Sequence, residues 1–218
     1  MDNLDSARFL YDLRQGVIMT TILSSIEMRL IAARNHITQA CLLAHRDPTT
    51  VRLIAASKSV DTQTLRTAIA LGQRDFGENY VQEALIKIAE LAQETRTNAL
   101  RWHCIGPIQS NKTLEVAKHF DWVHTVDRLK IAQRLSAQRP SHLPDLQVCI
   151  QVNTDGGVNK SGVAPTDLEA LARSIVGLPK IQLRGLMAIP ESYDDPVTTQ
   201  AIHLRLADLL KQQIGRAR

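Results

Sequence analysis

From residue 22 onward, apolar side chains recur with periods that separate helix from strand. Ile22, Ile26, Leu30, Ala33, Ile37 and Ala40 follow one another at three- and four-residue steps, the stripe of an amphipathic helix. Asp47-Pro48 ends it. The pattern then alternates. Val51-Arg-Leu-Ile-Ala-Ala-Ser57 is a short apolar run of the kind a buried parallel strand produces. Asp61 stands where a helix N-cap belongs, and Leu65, Ala68, Ile69 and Leu71 make an apolar face that Gly72 closes. Further strand–helix pairs fall at 75–77 and 81–91, 102–105 and 110–120, and 122–125 and 127–137. A loop at Pro140–Pro144 precedes the strand 146–152, which is followed by a Gly156-Gly157 loop and a helix from about Pro165. The last pair is 181–188 and 197–213. Six βα units with no linker between them predict one α/β domain on a parallel sheet. That domain covers 19–218, with 1–18 an N-terminal appendage and Met19 a second candidate start.

Such a run either opens into a doubly wound sheet or closes into a barrel. No G-x-G-x-x-G or G-x-x-x-x-G-K-[ST] turn follows any strand, which removes the usual dinucleotide and nucleotide signatures. Polar residues instead sit at many strand ends: Lys58, Glu78-Asn79, Gly106, Asn153 and Met187-Ala188. That distribution suits a barrel with its site at the C-terminal face.

Composition narrows the chemistry. With 44% hydrophobic and 22% charged residues the 218-residue chain is globular rather than disordered. Cys41, Cys104 and Cys149 are too few and too far apart for a disulfide framework or a zinc spacing, so a reducing compartment is expected. The net charge is +4, but Lys211, Arg216 and Arg218 carry three of those charges, leaving residues 1–210 at +1. With only 4% aromatic residues, nothing favours nucleic acid as a partner. Asp2, Asp5 and Asp12 interrupt the first 18 residues, and no apolar run is long enough to span a membrane. A cytoplasmic protein is expected. The seven histidines form no H-E-x-x-H motif and there is no G-x-S-x-G elbow, so neither metal nor serine-hydrolase chemistry is expected.

Several residues carry candidate chemistry. Lys58 directly follows an apolar strand, which places its amine at the barrel mouth, partly desolvated and able to attack a carbonyl. On position alone a solvated lysine is the commoner meaning. In Phe76-Gly-Glu-Asn-Tyr-Val-Gln-Glu83, Gly77 permits close backbone approach and Asn79 offers both donor and acceptor. The plainer reading is a helix start with Glu78 and Glu83 in its first turns. In Trp102-His-Cys-Ile-Gly-Pro-Ile-Gln-Ser-Asn-Lys112 a glycine and a polar helix start could face an anion or a ring. His103 there is most simply a satisfied core histidine. Asn153–Gly162 reads as a surface loop ending in Lys160-Ser-Gly162. Met187 could lie against a planar ring or fill the core.

Taken in order, Ala55-Ala-Ser-Lys58, Phe76–Glu83, Trp102–Lys112, Lys160-Ser-Gly162 and Arg184-Gly-Leu-Met-Ala188 resemble the pyridoxal phosphate homeostasis protein family, a one-domain group related to the barrel of alanine racemase. The resemblance runs from about Ile22 to about Pro190. It implies a TIM-barrel-like (β/α)8 fold, with about six βα units present and the last two missing. It also implies pyridoxal 5′-phosphate at the barrel mouth as cofactor. Lys58 matches the lysine that holds the cofactor as a Schiff base. Asn79, His103 and Met187 match positions lining it, and Lys160 matches the loop after strand five. The implied role is intracellular vitamin B6 homeostasis without robust catalysis, as a monomer whose partners are the cofactor and pyridoxal-phosphate-dependent apo-enzymes. The family's two further units wrap the cofactor phosphate and have no counterpart before Gly215-Arg-Ala-Arg218. Poor phosphate retention and marginal stability from open sheet edges are therefore expected. Two other readings stay open: a pyridoxal-phosphate-dependent amino-acid racemase or decarboxylase, and an aldolase-type barrel using Lys58 without cofactor.

Overall fold

The computed structural model describes residues 8–12, 17–21, 25–92, 100–154, 156, 160–189 and 195–214. They fall into two compact units, one of residues 1–55 and 59–74, the other of 56–58 and 75–218.

In the first unit, β1 (Arg8–Asp12) pairs antiparallel with β2 (Val17–Thr21), with Leu10 opposite Met19. The stretch read from sequence as an appendage thus contains strands. Four of the five β2 residues are β-branched, which favours extended backbone over an early helix start. Helix α1 (Ser25–Leu43) buries Leu30 and Cys41 but exposes Met28, Ile31, Leu42 and Leu43, so the expected apolar stripe is only partly covered. Ile22, its expected first position, lies outside the described residues. Helix α2 (Thr62–Ala70) is capped by Asp61, whose carboxylate accepts from the Thr64 N–H at 2.7 Å. The expected strand 51–57 shrinks to β3 (Ala55–Ala56). Just before it, the Leu53 carbonyl accepts from the Gln73 side chain at 2.8 Å instead of from a ladder partner.

The second unit alternates as the sequence predicts: β4 (Asp75–Glu78), α3 (Val81–Ala92), β5 (Arg101–Cys104), α4 (Thr113–His119), β6 (Trp122–Val126), α5 (Leu129–Gln138), β7 (Leu146–Gln151), α6 (Leu168–Val176), β8 (Ile181–Met187) and α7 (Pro196–Leu209). The six-stranded sheet has the order β3-β4-β5-β6-β7-β8, and the pairs from β4 to β8 are parallel. This is an α/β fold of successive βα units. Helix α6 shows why they pack: Leu168, Leu171, Ala172 and Ile175 fall on one face, and all four are buried. Among the described residues, no helix is long and apolar enough to cross a membrane.

Backbone contacts stitch the C-terminal strand ends together. The Ser57 N–H donates to the Gly77 carbonyl at 2.8 Å, Ile105 to Glu78 at 3.0 Å, and Val152 to Met187 at 2.8 Å. The Thr125 hydroxyl donates to the Gly106 carbonyl at 2.7 Å. Gly106 is needed for this closeness, because a Cβ there would stand 2.7 Å from the Asn79 Cα. After β7 the chain returns at Gly162, where φ is +122° and a Cβ would meet the Asn153 nitrogen at 2.6 Å. Val163 then donates to the Gln151 carbonyl and accepts from the Asn153 N–H. Gly157, part of the expected loop, lies outside the described residues.

Below the strand ends runs a polar layer. Asp75 receives both Arg101 Nε and Nη2 at 2.7 Å, and its Oδ1 also lies 3.0 Å from His103 Nε2. His103 Nδ1 lies 2.9 Å from His124 Nε2, and its ring stacks on Trp122. With Nε2 donating to Asp75, a neutral His103 accepts at Nδ1 from the His124 Nε2–H. Burial, with the neighbouring His103, lowers the His124 pKa to about 4.

Two outcomes follow from these contacts. Gly162→Ala should lower stability by about 2–4 kcal/mol in urea unfolding, combining left-handed strain with a backbone clash. An unchanged midpoint would contradict the account of this turn. For His124, the unfolded imidazole takes up a proton below its ordinary 6.5 that the folded ring refuses down to about 4. Its contribution to stability is therefore present above that window and is lost as pH falls through it. The stability difference between wild type and His124→Gln, measured from pH 7 to pH 4, should change across that window; a flat difference would rule the effect out.

Candidate functional site

The Lys58 side begins with Ser57, whose every polar atom is engaged. Its N–H donates to Gly77, its hydroxyl donates to Glu78 Oε1 at 2.6 Å, and its carbonyl accepts from Lys87 Nζ at 2.7 Å. Lys87 also pairs with Glu78 Oε1 at 2.8 Å. All three residues are buried. Lys58, the next residue, is exposed. Its expected partial burial is absent because β3 has already ended two residues earlier.

Glu78 corrects the sequence reading. It is the last residue of β4 rather than a first-turn residue of α3, and its carboxylate faces Lys87 of that helix. Lys87 was not singled out in the sequence. Its signal was a lysine within an otherwise apolar stripe, since Val81, Ala84, Lys87 and Leu91 are the buried positions of α3.

Across the sheet, a cavity of about 240 Å³ opens over the later strand ends. Ile105, Pro107 and Ile189 form its apolar wall, with Thr125, Gln151, Lys160 and Ser161 as its polar wall. The volume is slightly below the range for drug-sized ligands and suits a single substituted ring. Gln151 Nε2 donates to the Ser161 carbonyl at 3.3 Å, which ties the Lys160-Ser-Gly162 turn to the end of β7.

Of the five expected site residues, Lys160 lines this cavity. Asn79 is half-buried directly after β4, against Gly106. Met187 ends β8, and its carbonyl holds Val152. His103 is buried two residues before Ile105 on β5. Alternation puts both side chains on one face, so the imidazole lies one layer beneath the cavity wall. Lys58 is at the mouth end of β3. All five stand at or just under the C-terminal strand ends, but only Lys160 is part of the cavity. The cysteines offer no nucleophile there: burial pushes the Cys104 thiol up to about 12 and the Cys149 thiol up to about 11.

Residues 34–218 match the family model for the alanine racemase N-terminal domain. The pyridoxal phosphate homeostasis protein of Pseudomonas aeruginosa is 55% identical over 192 residues, covering 88% of this chain and 80% of that protein. The Escherichia coli K12 protein of the same name is 47% identical over 168 residues, 77% of this chain and 71% of its own. Among solved structures, PipY of Synechococcus elongatus without PLP has a TM-score of 0.70 at 37% identity, covering 82% of this chain and 83% of PipY. PipY with PLP bound also has a TM-score of 0.70, at 34% identity. Alanine racemase of Corynebacterium glutamicum, 15% identical with a TM-score of 0.53, covers 75% of this chain and 46% of its own, and shares the fold. By matched length and by identity, this chain belongs to the pyridoxal phosphate homeostasis protein family.

Proposed function

We propose that this chain binds pyridoxal 5′-phosphate at its strand ends and serves the supply of that cofactor to apo-enzymes, without robust catalysis of its own. The observation that carries the reading is Lys58, an exposed amine on a backbone fixed through all three polar atoms of Ser57. The residues present fit the group. Lys58 supplies the amine for covalent attachment, and Lys160 brings positive charge to the wall of a one-ring cavity. Thr125 and Gln151 add neutral polar groups on that wall. Asn79 follows β4 and Met187 ends β8, with β5, β6 and β7 between them, and His103 lies on β5. PLP bound to the Synechococcus neighbour and the names of the curated relatives support the same reading. The three buried free thiols suit a reducing compartment such as the cytoplasm.

Bound pyridoxal phosphate supplies an electron sink, and turning it to catalysis requires a placed acid or base. Among the described residues lining the cavity there is neither carboxylate nor imidazole. The carboxyl nearest Lys58 in the strand-end network, Glu78, already accepts from Ser57 and Lys87 through one oxygen. His103 is held between Asp75 and His124. Each of these groups is occupied in holding structure.

Borohydride reduction of the cofactor-loaded protein, followed by peptide mapping, should place the pyridoxyl adduct on Lys58. An adduct confined to another lysine would overturn the assignment. Pure loaded protein should racemise alanine no faster than free cofactor does, and turnover at ordinary enzymatic rates of about 1 per second or more would replace a carrier with an enzyme.

A further inference from the structure

Glu78 and Lys87 form a buried ion pair beside Ser57. Glu78 is completely buried, and Lys87 nearly so. Glu78 Oε1 takes both the Ser57 hydroxyl and the Lys87 ammonium, while Oε2, equally buried, has no hydrogen-bond partner among the described residues. Such a pair is a poor device for stability alone. Burying two charges is costly, and an apolar pair of similar volume generally does as well or better. An unsatisfied carboxylate oxygen adds to that cost.

What the pair does achieve is geometric. The Lys87 ammonium donates to the Ser57 carbonyl, which belongs to the peptide joining Ser57 to Lys58. That peptide plane fixes the positions of the Lys58 nitrogen and Cα, from which the side chain departs. On the other side, Ser59 has φ of +59°, so the chain turns sharply directly after Lys58. Lys58 is thus exposed while the peptide before it is clamped. We infer that Glu78 and Lys87 are positioning residues that hold the Lys58 backbone in place for attachment, through the Ser57 carbonyl. This inference rests on Lys58 being the attachment residue.

The test compares wild type with the double variant Glu78→Leu/Lys87→Met, which removes both charges and keeps the volume. Three quantities are measured: the melting temperature of the apoprotein, the rate of covalent attachment of pyridoxal 5′-phosphate by stopped-flow absorbance, and the share of borohydride-trapped adduct on Lys58. Positioning predicts a melting temperature within about 5 °C of wild type, with attachment slowed at least tenfold and adduct spread onto other lysines. A folded double variant that attaches at the wild-type rate, on Lys58, would overturn the inference, because restored stability would then be all that mattered. Should the double variant fail to fold, Ser57→Ala serves instead, since it removes only one donor to Glu78. Attachment slowed about threefold is expected, in a folded protein with a lowered melting temperature, and an unchanged rate would overturn the inference. Wild type trapping no adduct on Lys58 would count against the attachment reading itself, a result the wild-type arm shows before any variant is compared.

Discussion

The arrangement of the strand ends depends on Ser57. Its amide is paired to β4, its hydroxyl to the end of the same strand, and its carbonyl to a lysine on α3. A two-residue strand such as β3 would ordinarily be a weak place to mount a reactive side chain, because so few ladder bonds define it. Here the missing ladder is replaced by a charged hydrogen-bond network reaching in from a helix. The network is small but desolvated, and its donors and acceptors have little room to rearrange.

The rest of the site is built on the same plan, with rigidity supplied from beneath. Asp75, Arg101, His103 and His124 fill the layer under the cavity with mutually satisfied polar groups. The cavity above them has an apolar wall of Ile105, Pro107 and Ile189 and a polar wall that includes Thr125, Gln151 and Lys160. A site so arranged is suited to holding a ligand. Asp75, Arg101, His103 and His124 are engaged with one another beneath it.

Much of the second unit was legible in the sequence. Period-two and period-3.6 patterns placed β4 to β8 within a residue and their helices within about four, most clearly where a helix such as α6 buries one well-defined face. The first unit was harder to read. β3 proved far shorter than its apolar run, since Leu53 is satisfied by the Gln73 side chain, a contact across 20 residues that no local pattern reveals. The strands at 8–12 and 17–21 escaped notice because a five-residue strand without its partner has a weak signature. At the site, Lys58 was legible through its motif. Lys87 was not, because a lysine on an amphipathic helix is normally read as a stem lying along the surface with its charge in water. The His103–His124 pairing joins two strands and depends on register, which sequence spacing does not disclose.

Gly106 and Gly162 divide the neighbourhood of the cavity into positions of two kinds. At either glycine the nearest obstacle to a side chain is main chain, from Asn79 in one case and Asn153 in the other, and main chain has no flexible end to swing aside. Pro107 and Ile189 are bounded by open solvent on at least one side. Divergence in such a scaffold would be uneven: wall residues could drift and retune affinity in small steps, while the two turns would admit almost no intermediate forms. New ligand preferences would be reached by repainting the wall, with the frame left as it is.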